Sequence, residues 1–552
     1  MKKRLFTALC LLLSMLLLAG CSDASDAGNE SAAPEDEADA PAIYMVYHKD
    51  GTVYWYDFET SSAKEIASEM GDEGDRFLRG MISTPNGRYL LYPDKMSQRK
   101  QHANILVRDM TVPDAQPKTL AKYVTDCCVS DDSDTVWVLD VGKRLYRCSI
   151  SAGTLEIIAE NVDKVVCSED GKTVLYAPLT TKDTTFGRQY YRLTDGDTQN
   201  AVTFTGIPRG FSPDLSVILY EEGDDLYKLN GEGTVTKVDS DTISWWVGED
   251  GSVYYMKNSG YLTPRDYIIN DTGKSFDYTA LEKYPMFCVD VYHYDGQPKR
   301  IAENVLEVDF RGDKNNTITY TTVNLTKKVP LSEILEGGIS HAFIDRLLGR
   351  LRDGVGVVKN GRVSEVKTGY AYTYLFSRDY SKVCLLKDVD LETGLGSLYV
   401  TALTGSHAGK TELIDKSVSE STFAGNTLLY IKDKNLYKEN KNTMIAENVN
   451  NAFYRSKDDM ILVCYDNEDE YPSLGVYQSS DSILYSEGTG GTFTELCKDI
   501  DKMGFLENLV PFYSDKDGNL YCYTNGTSVK VAEDPDGFIN LKIGGSVSYR
   551  TN

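Results

Sequence analysis

The sequence predicts an all-β fold assembled from many small, similar sheets, and three observations carry that expectation. The pentapeptide Ile158-Ala159-Glu160-Asn161-Val162 recurs letter for letter at 301–305 and again at 445–449, 143 and 144 residues further on. Identical short segments at near-equal spacing are what an array of structural repeats leaves in a chain. Turn dipeptides punctuate the sequence, among them Asp50-Gly51, Asn86-Gly87, Asp170-Gly171, Asp250-Gly251, Asp295-Gly296, Asn360-Gly361, Asp517-Gly518 and Asn525-Gly526. Each favours the left-handed backbone of a tight hairpin. Between the turns lie runs of Val, Ile, Thr, Tyr and Trp, such as 52–56 and 252–256, residue types that prefer extended, partly buried positions.

At the N-terminus, Lys2, Lys3 and Arg4 precede an apolar run over 5–18 that closes on Leu18-Ala19-Gly20-Cys21. The run is short for a stable membrane span. It resembles a bacterial lipoprotein signal, with 18–21 as the lipobox. The resemblance implies cleavage after residue 20, diacylglycerol on the Cys21 sulfur, and a lipid-anchored place on the extracytoplasmic face of a bacterial cell membrane. Residues 22–40 carry seven acidic side chains and six alanines with no aromatic or β-branched residue. Nothing there repays the entropy of ordering, so 21–40 is expected to be a lipidated, flexible acidic tether.

The whole chain has a formal charge of −25, and loss of Lys2, Lys3 and Arg4 with the signal takes it to −28. That balance opposes nucleic-acid binding and adsorption to anionic lipid by charge alone, leaving the anchor as the route to the membrane. Nine cysteines remain after Cys10 and Cys21 are set aside: Cys127, Cys128, Cys148, Cys167, Cys288, Cys384, Cys464, Cys497 and Cys522. They lack the C-x-x-C spacing of a zinc site. Most sit among Val, Leu and Tyr and read as small buried hydrophobes, with a Cys148 to Cys167 disulfide as the alternative for that pair.

The repeating unit runs as a turn, an aromatic-tipped strand, a loop, a second aromatic strand, another turn, and a strand leading into Ile-Ala-Glu-Asn-Val. Examples of its opening are 84–92, 168–176 and 212–220, with a degraded copy at Ser130-Asp131-Asp132. Units occupy roughly 40 residues, the size of one four-stranded β-propeller blade. Ser212-Pro213-Asp214 and the strand that ends at Tyr220 resemble the Tol-type and WD-like propeller repeats, departing at Leu215 where that family has glycine. Ser377-Arg378-Asp379-Tyr380 and Ser456-Lys457-Asp458-Asp459 resemble it more weakly. Leu145-Tyr146, Leu226-Tyr227 and Leu436-Tyr437 are similar to third-strand openings in bacterial repeat proteins of unassigned role. The expectation is a β-propeller of four-stranded blades, as two tandem propellers or one large propeller with insertions, over 41–330 and 361–552.

Between them, 331–360 reads as a short helical connector or insertion. Ser332 offers an N-cap to a first helical patch, and 341–351 places Phe343, Leu347, Leu348 and Leu351 on one side at helical spacing. His341 and Asp345 stand four apart on that segment.

Chemistry is sparsely signalled. The five histidines, His48, His102, His293, His341 and His407, form no close pair, and no nucleophile elbow is present. Neither a cofactor nor a metal is called for, and the acidic turns read as hairpin turns rather than calcium loops. Asp290 and Asp309 lie within apolar strands and are the candidates for a carboxylate pair of the kind that cleaves glycans. Trp55, Trp137, Trp245 and Trp246 are the candidate recognition residues, because rigid aromatics give contact area at low entropic cost. For the adjacent Trp245 and Trp246, alternation along a strand places one inside and leaves the other for the surface. The expected function is a binding or scaffold lipoprotein that recognises a protein, peptide or glycan through a propeller surface. The competing expectation is a glycan-active enzyme using funnel carboxylates. A third is a sensory or assembly component of the envelope, marked by an apolar rim.

Overall fold

A computed structural model describes residues 44–548, apart from 69–78, 98–100, 180–186, 311–315, 336–338, 440–442, 456–459, 466–472, 479–491, 498–499, 506–510 and a few shorter gaps. The signal 1–20, the tether 21–40 and Cys21 lie outside the described residues. The remainder is mostly antiparallel β-sheet.

One unit shows the plan. Residues 124–129, the second half of the strand Lys118–Val129, pair with Thr135–Asp140. Thr135–Asp140 pairs with Leu145–Ser149, and that strand with Thr154–Ala159. Such four-strand antiparallel modules follow one another along the chain. In four places the last strand of one module and the first of the next are a single long strand: Lys118–Val129, Val202–Phe211, Pro298–Phe310 and Thr411–Ala424.

At eight described junctions the chain leaves a module through a residue with positive φ. Tyr123, Asn161, Gly206, Asp241, Asn304, Gly369, Ser417 and Asn448 all occupy this junction. A left-handed residue breaks the pleat, so the strand leaves one sheet and enters the next on a new heading. Asn, Asp and Gly tolerate that backbone best. The three copies of Ile-Ala-Glu-Asn-Val therefore sit at the same structural position, with Asn161, Asn304 and Asn448 as the junction residues. In two copies the following valine amide closes on an equivalent turn, Val162 N to Lys143 O at 2.8 Å and Val449 N to Lys434 O at 2.6 Å.

Modules described on both sides bury apolar side chains on both faces. Val136, Val138, Tyr146 and Cys148 pack back onto Leu91, Ile105 and Val107 of the preceding module. Trp137, Leu139, Leu145 and Ile158 pack forward onto Val162, Val174 and Leu193 of the following one. The described apolar clusters of this module are shared with its neighbours, so its hydrophobic term lies at the seams. Polar bonds at the seams repeat as well. Tyr255 donates to Asp239 at 2.7 Å beside Lys257 at 3.0 Å, and Tyr430 donates to Asp415 at 3.1 Å beside Lys432 at 2.7 Å. Tyrosine suits this place because its ring fills the seam while its hydroxyl reaches an acceptor at the edge.

The two ends of the described chain meet. Gly537–Asn540 pairs antiparallel with Tyr44–Lys49 and completes a module with Thr52–Asp57 and Ser62–Ala67. Lys542–Ile543 and Gly545–Ser548 then add to the next sheets at Ile82–Ser83 and at 126–129.

The helical segment interrupts a sheet without ending it. Ile318–Val323 hydrogen-bonds to Arg352–Lys359, and everything between them is an excursion from two adjacent strands. The helix His341–Leu351 buries Phe343, Ile344, Leu347 and Leu351, with Leu348 half-buried, in a satellite core with Leu281, Met286 and Leu331. Its cap is Ser340, whose hydroxyl accepts from Phe343 N at 3.4 Å. Ser332 does not act as the cap expected of it. It lies inside the one-turn helix Leu331–Glu333, and its amide bonds to the Asp271 carboxylate at 2.9 Å, an acceptor from a distant loop.

Candidate functional site

The modules present two faces of different chemistry. On one, the turn face, lie the loops joining first to second and third to fourth strands. A serine or threonine and an acid or amide two residues later build the first of these. The Ser168 hydroxyl donates to Asp170 at 2.7 Å and accepts from Thr173 N at 2.8 Å, while Asp170 accepts from Lys172 N at 3.0 Å. Ser212 with Asp214, Ser377 with Asp379, Ser130 with Asp132 and Thr84 with Asn86 repeat the arrangement. Equivalent turns also hold one another, Asp131 N to Glu169 O at 2.9 Å and Glu169 N to Pro213 O at 3.0 Å. Leu215, standing where the resembled family has glycine, adopts φ 56° and buries its side chain in the seam.

This stacking concentrates acid. Burial and the neighbouring Asp170 and Asp132 push the Asp131 carboxyl above its ordinary range. Burial, Asp131 and Glu249 do the same to Glu169. Like charges held close disfavour ionisation of both. In Asp132, Asp214 and Asp379 burial acts the same way, yet hydrogen bonds from serine hydroxyls and backbone amides outweigh it and hold those carboxyls low.

Two clefts open at seams on the turn face. One of about 430 Å³ is lined by Lys228, Asp250, Tyr254, His293, Asp295 and Asn316. Burial lowers the Lys228 and His293 pKa values against the pull of Asp250 and Asp295. Lys228 donates to Gly251 O at 2.9 Å, and the His293 ring stacks on Tyr254 at 4.6 Å. The second, of about 490 Å³, contains Lys382, His407, Lys410, Glu412, Lys438 and Glu439.

On the opposite face, the junction face, chain crossings lie beside the loops joining second and third strands. Val141 N bonds to Tyr123 O at 2.9 Å, and Leu179 N to Asn161 O at 2.5 Å. Six of the fourteen exposed large apolar side chains among the described residues lie toward this side: Tyr123, Val141, Leu179, Ile207, Tyr261 and Tyr372. Tyr123 is 56% exposed and holds φ 56°, a backbone that bulky residues rarely adopt. Its ring meets His102 edge-on at 5.3 Å.

The candidate residues from the sequence fare unevenly. Trp55 and Trp137 are each 1% exposed and belong to seam cores, which removes them from any binding surface. Trp137 also donates to Gly171 O at 2.8 Å. Trp245 and Trp246 do point to opposite sides of their strand, but each meets a different neighbouring module and both are half-buried. Trp245 donates to Thr242 at 2.6 Å beneath the Arg209 guanidinium, and Trp246 stacks on Phe310.

Asp290 pairs with Arg300 at 3.3 Å and accepts from the junction amide of Asn304 at 3.1 Å, a structural assignment for that acid. Asp309 is exposed. The structure thus gives Asp290 a structural role and leaves Asp309 at the surface. The Asp131 and Glu169 turns, which it does bring together, were visible only as turn residues. His341 meets Tyr284 edge-on at 4.9 Å. Cys148 and Cys167 are unbridged, and burial pushes both thiols up, Cys148 to about 12. Among the described residues no group of His, Cys, Asp and Glu is arranged to hold a metal, and no helix is long and apolar enough to cross a membrane.

No family model and no curated protein sequence matches the chain. Solved structures similar to it include a eukaryotic initiation factor, at 8% identity over 93% of this chain and 99% of that one with a TM-score of 0.37. Porphyromonas gingivalis dipeptidyl peptidase 4 is similar at 11% identity over 79% of this chain and 64% of that one, TM-score 0.31. The C-terminal WD40 domain of Sif2 is similar at 10% identity over 65% and 93%, TM-score 0.27. No residue role passes from them to this chain.

Proposed function

We propose that this protein is a lipid-anchored, extracytoplasmic β-propeller that binds or scaffolds a protein or peptide partner on its junction face. The observation that carries the reading is that Tyr123, Val141, Leu179, Ile207, Tyr261 and Tyr372, exposed apolar side chains of several modules, lie at or near the junction-side ends of their strands. Apolar side chains scattered singly mean little, whereas a set presented on one face supports recognition. Tyr123 strengthens it, since a strained backbone that displays an exposed ring points to use of that ring.

The propeller reading is supported by the pairings. A four-strand sheet is one module, and each longer sheet is two modules that share a strand or abut, which makes eleven among the described residues. Apolar clusters join neighbouring modules in order from the first to the tenth, and another joins the eleventh back to the first. These seams favour one large circuit over two tandem rings, with Gly537–Asn540 closing it. Closure covers the lateral faces that an open array would leave exposed.

The test is capture of envelope proteins by the full-length protein in detergent. A triple variant, Tyr123→Ser, Leu179→Ser and Tyr261→Ser, loses the captured partner, while Glu169→Gln on the other face retains it. Equal capture by both variants rejects the junction face.

A second reading is favoured by one observation. Asp131 and Glu169 are neighbouring carboxyls with raised pKa values, as an acid catalyst on a glycan requires. Hydrolysis of chromogenic glycosides that disappears in Glu169→Gln would establish it, and a glycoside panel left uncleaved would remove it.

A further inference from the structure

We propose that Cys128 and Cys167 are a redox-responsive thiol pair, which a small disulfide oxidant closes into a disulfide that staples the module of 124–159 to the module beginning at Val162. The pair lies inside a seam, so its action does not depend on the docking role of the junction face.

Its placement follows from alternation along a strand. Cys127 and Cys128 are neighbours in Lys118–Val129, so their side chains leave opposite faces of the sheet. Cys127 packs backward with Cys148 onto the preceding module, and Cys128 packs forward with Trp137 and Leu139 into the next seam. Cys167 ends Val162–Cys167, the first strand of the following module, and its side chain enters that same seam from the other side. The Cys167 thiol is hydrogen-bonded to the Cys128 thiol. Cys148 lies in the other seam, which leaves Cys128 as the partner of Cys167.

The seam is held close where the thiols meet. Just beyond them the two turns bond backbone to backbone, Asp131 N to Glu169 O at 2.9 Å, and Trp137 Nε1 reaches Gly171 O at 2.8 Å. A Cβ on Gly171 would fall 1.9 Å from Ser130 Cβ, so the turns touch. Two thiols on strand ends pinned in this way need little further ordering to join. The fold does not require cysteine here. Before the equivalent serines stand Val129, Phe211 and Phe376, and one position earlier Val166, Gly210 and Leu375. Among these described turns, this seam alone carries a thiol on each side.

Cys167 is half-buried and Cys128 is 7% exposed, so the reaction starts at Cys167. Its thiol gives a proton to water, and the thiolate attacks one sulfur of the oxidant, whose S–S bond breaks and releases one thiolate. Cys128 loses its proton in turn and attacks the Cys167 sulfur, expelling the second thiolate. Each departing thiolate takes up a proton, so the protein dithiol is oxidised by two electrons and the oxidant leaves as two thiols. Burial holds the Cys167 thiol protonated at neutral pH, so closure is slow there and quickens as pH rises.

The test is peptide mapping by mass spectrometry of the full-length protein in detergent, reduced, freed of reductant and incubated with oxidised glutathione at neutral and at mildly alkaline pH. The expected product is a peptide pair joined through Cys128 and Cys167. It should form faster at the higher pH, persist in Cys127→Ala and Cys148→Ala, and be lost in Cys128→Ala and Cys167→Ala. The joined protein should melt at least about 2 °C above its reduced form, because the link constrains the unfolded chain. A link to Cys167 that survives in Cys128→Ala, one that forms only in denaturant, Cys167 left unreacted or as a glutathione adduct, or an unchanged melting midpoint overturns the proposal.

Discussion

Replacing Trp137 probes the claim that the modules share their cores. The indole is 1% exposed, lies on a strand buried along its whole length, and contributes to the seam with Val162, Val174 and Leu193 of the next module. Truncating a buried Trp to Ala costs about 3–5 kcal/mol through lost transfer energy and the cavity left behind. Trp137→Ala also strands the Gly171 carbonyl that Nε1 reaches at 2.8 Å, adding about 1 kcal/mol. The expected total is about 4–6 kcal/mol. Trp137→Phe keeps most of the apolar volume and loses the bond, for about 1–2 kcal/mol. Urea unfolding followed by tyrosine and tryptophan fluorescence reads both. The seam account also requires the transition of Trp137→Ala to broaden or split, since the chain is then loosened between two modules rather than within one. A cost below about 1 kcal/mol for Trp137→Ala would refute the reasoning.

Three other outcomes follow from the same structure. Asn161→Gly and Asn304→Gly should be nearly neutral, whereas valine at either junction should cost about 1–2 kcal/mol because the left-handed backbone clashes with a branched Cβ; thermal unfolding of the four variants checks this. Asp131 and Glu169 titrate above their ordinary range when folded, so their protonation favours the folded state and their contribution to stability rises as pH falls through the folded pKa. Asp131→Asn and Glu169→Gln should therefore stabilise at neutral pH and lose that advantage at acid pH. Asp239 and Asp415 are held low, burial being outweighed by bonds from tyrosine, lysine and backbone, so their contribution is present at neutral pH and lost as pH falls through the folded pKa. If the chain is lipid-anchored through Cys21 as proposed, Cys21→Ala should move it from the membrane to the soluble extracytoplasmic fraction, read by fractionation, because a chain of formal charge −25 has no electrostatic affinity for anionic lipid.

Much of the fold is legible in the sequence because it rests on backbone requirements. The Asn of Ile-Ala-Glu-Asn-Val marks a left-handed crossing, and the Ser-x-Asp of 168–170 marks a turn that ties its own amides. Both are local, so residue type alone reveals them. The turn at Ser130, degraded in sequence, keeps the serine hydroxyl's bonds to the acid and to the carbonyl five residues on, since Ser133 at φ 58° takes the glycine's place. Seam contacts are not local. Trp55 and Trp137 read from sequence as recognition residues because alternation does not say whether a second face is covered, and in this fold a neighbouring module covers it. The two faces were illegible for a related reason. Asp131 and Glu169 stand 38 residues apart and meet only because successive turns stack, while Tyr123 and Leu179 share a side only because their modules do. Ser332 misled because a serine before an acidic turn reads as a cap, and nothing in the sequence announces Asp271 as its partner.

The closing strand gives the most direct test of a circuit of modules that complete one another. Hydrogen exchange with mass spectrometry on the strand Tyr44–Lys49 would be compared between the full-length chain and one ending at Asp536. Strong protection of this strand in the full chain, with loss of it in the shortened chain and weakened protection of the neighbouring strands Thr52–Asp57 and Tyr89–Ser97, is the predicted result. Unchanged protection after removal of 537–552 would contradict the account, because the first module would then be complete without the far end of the chain.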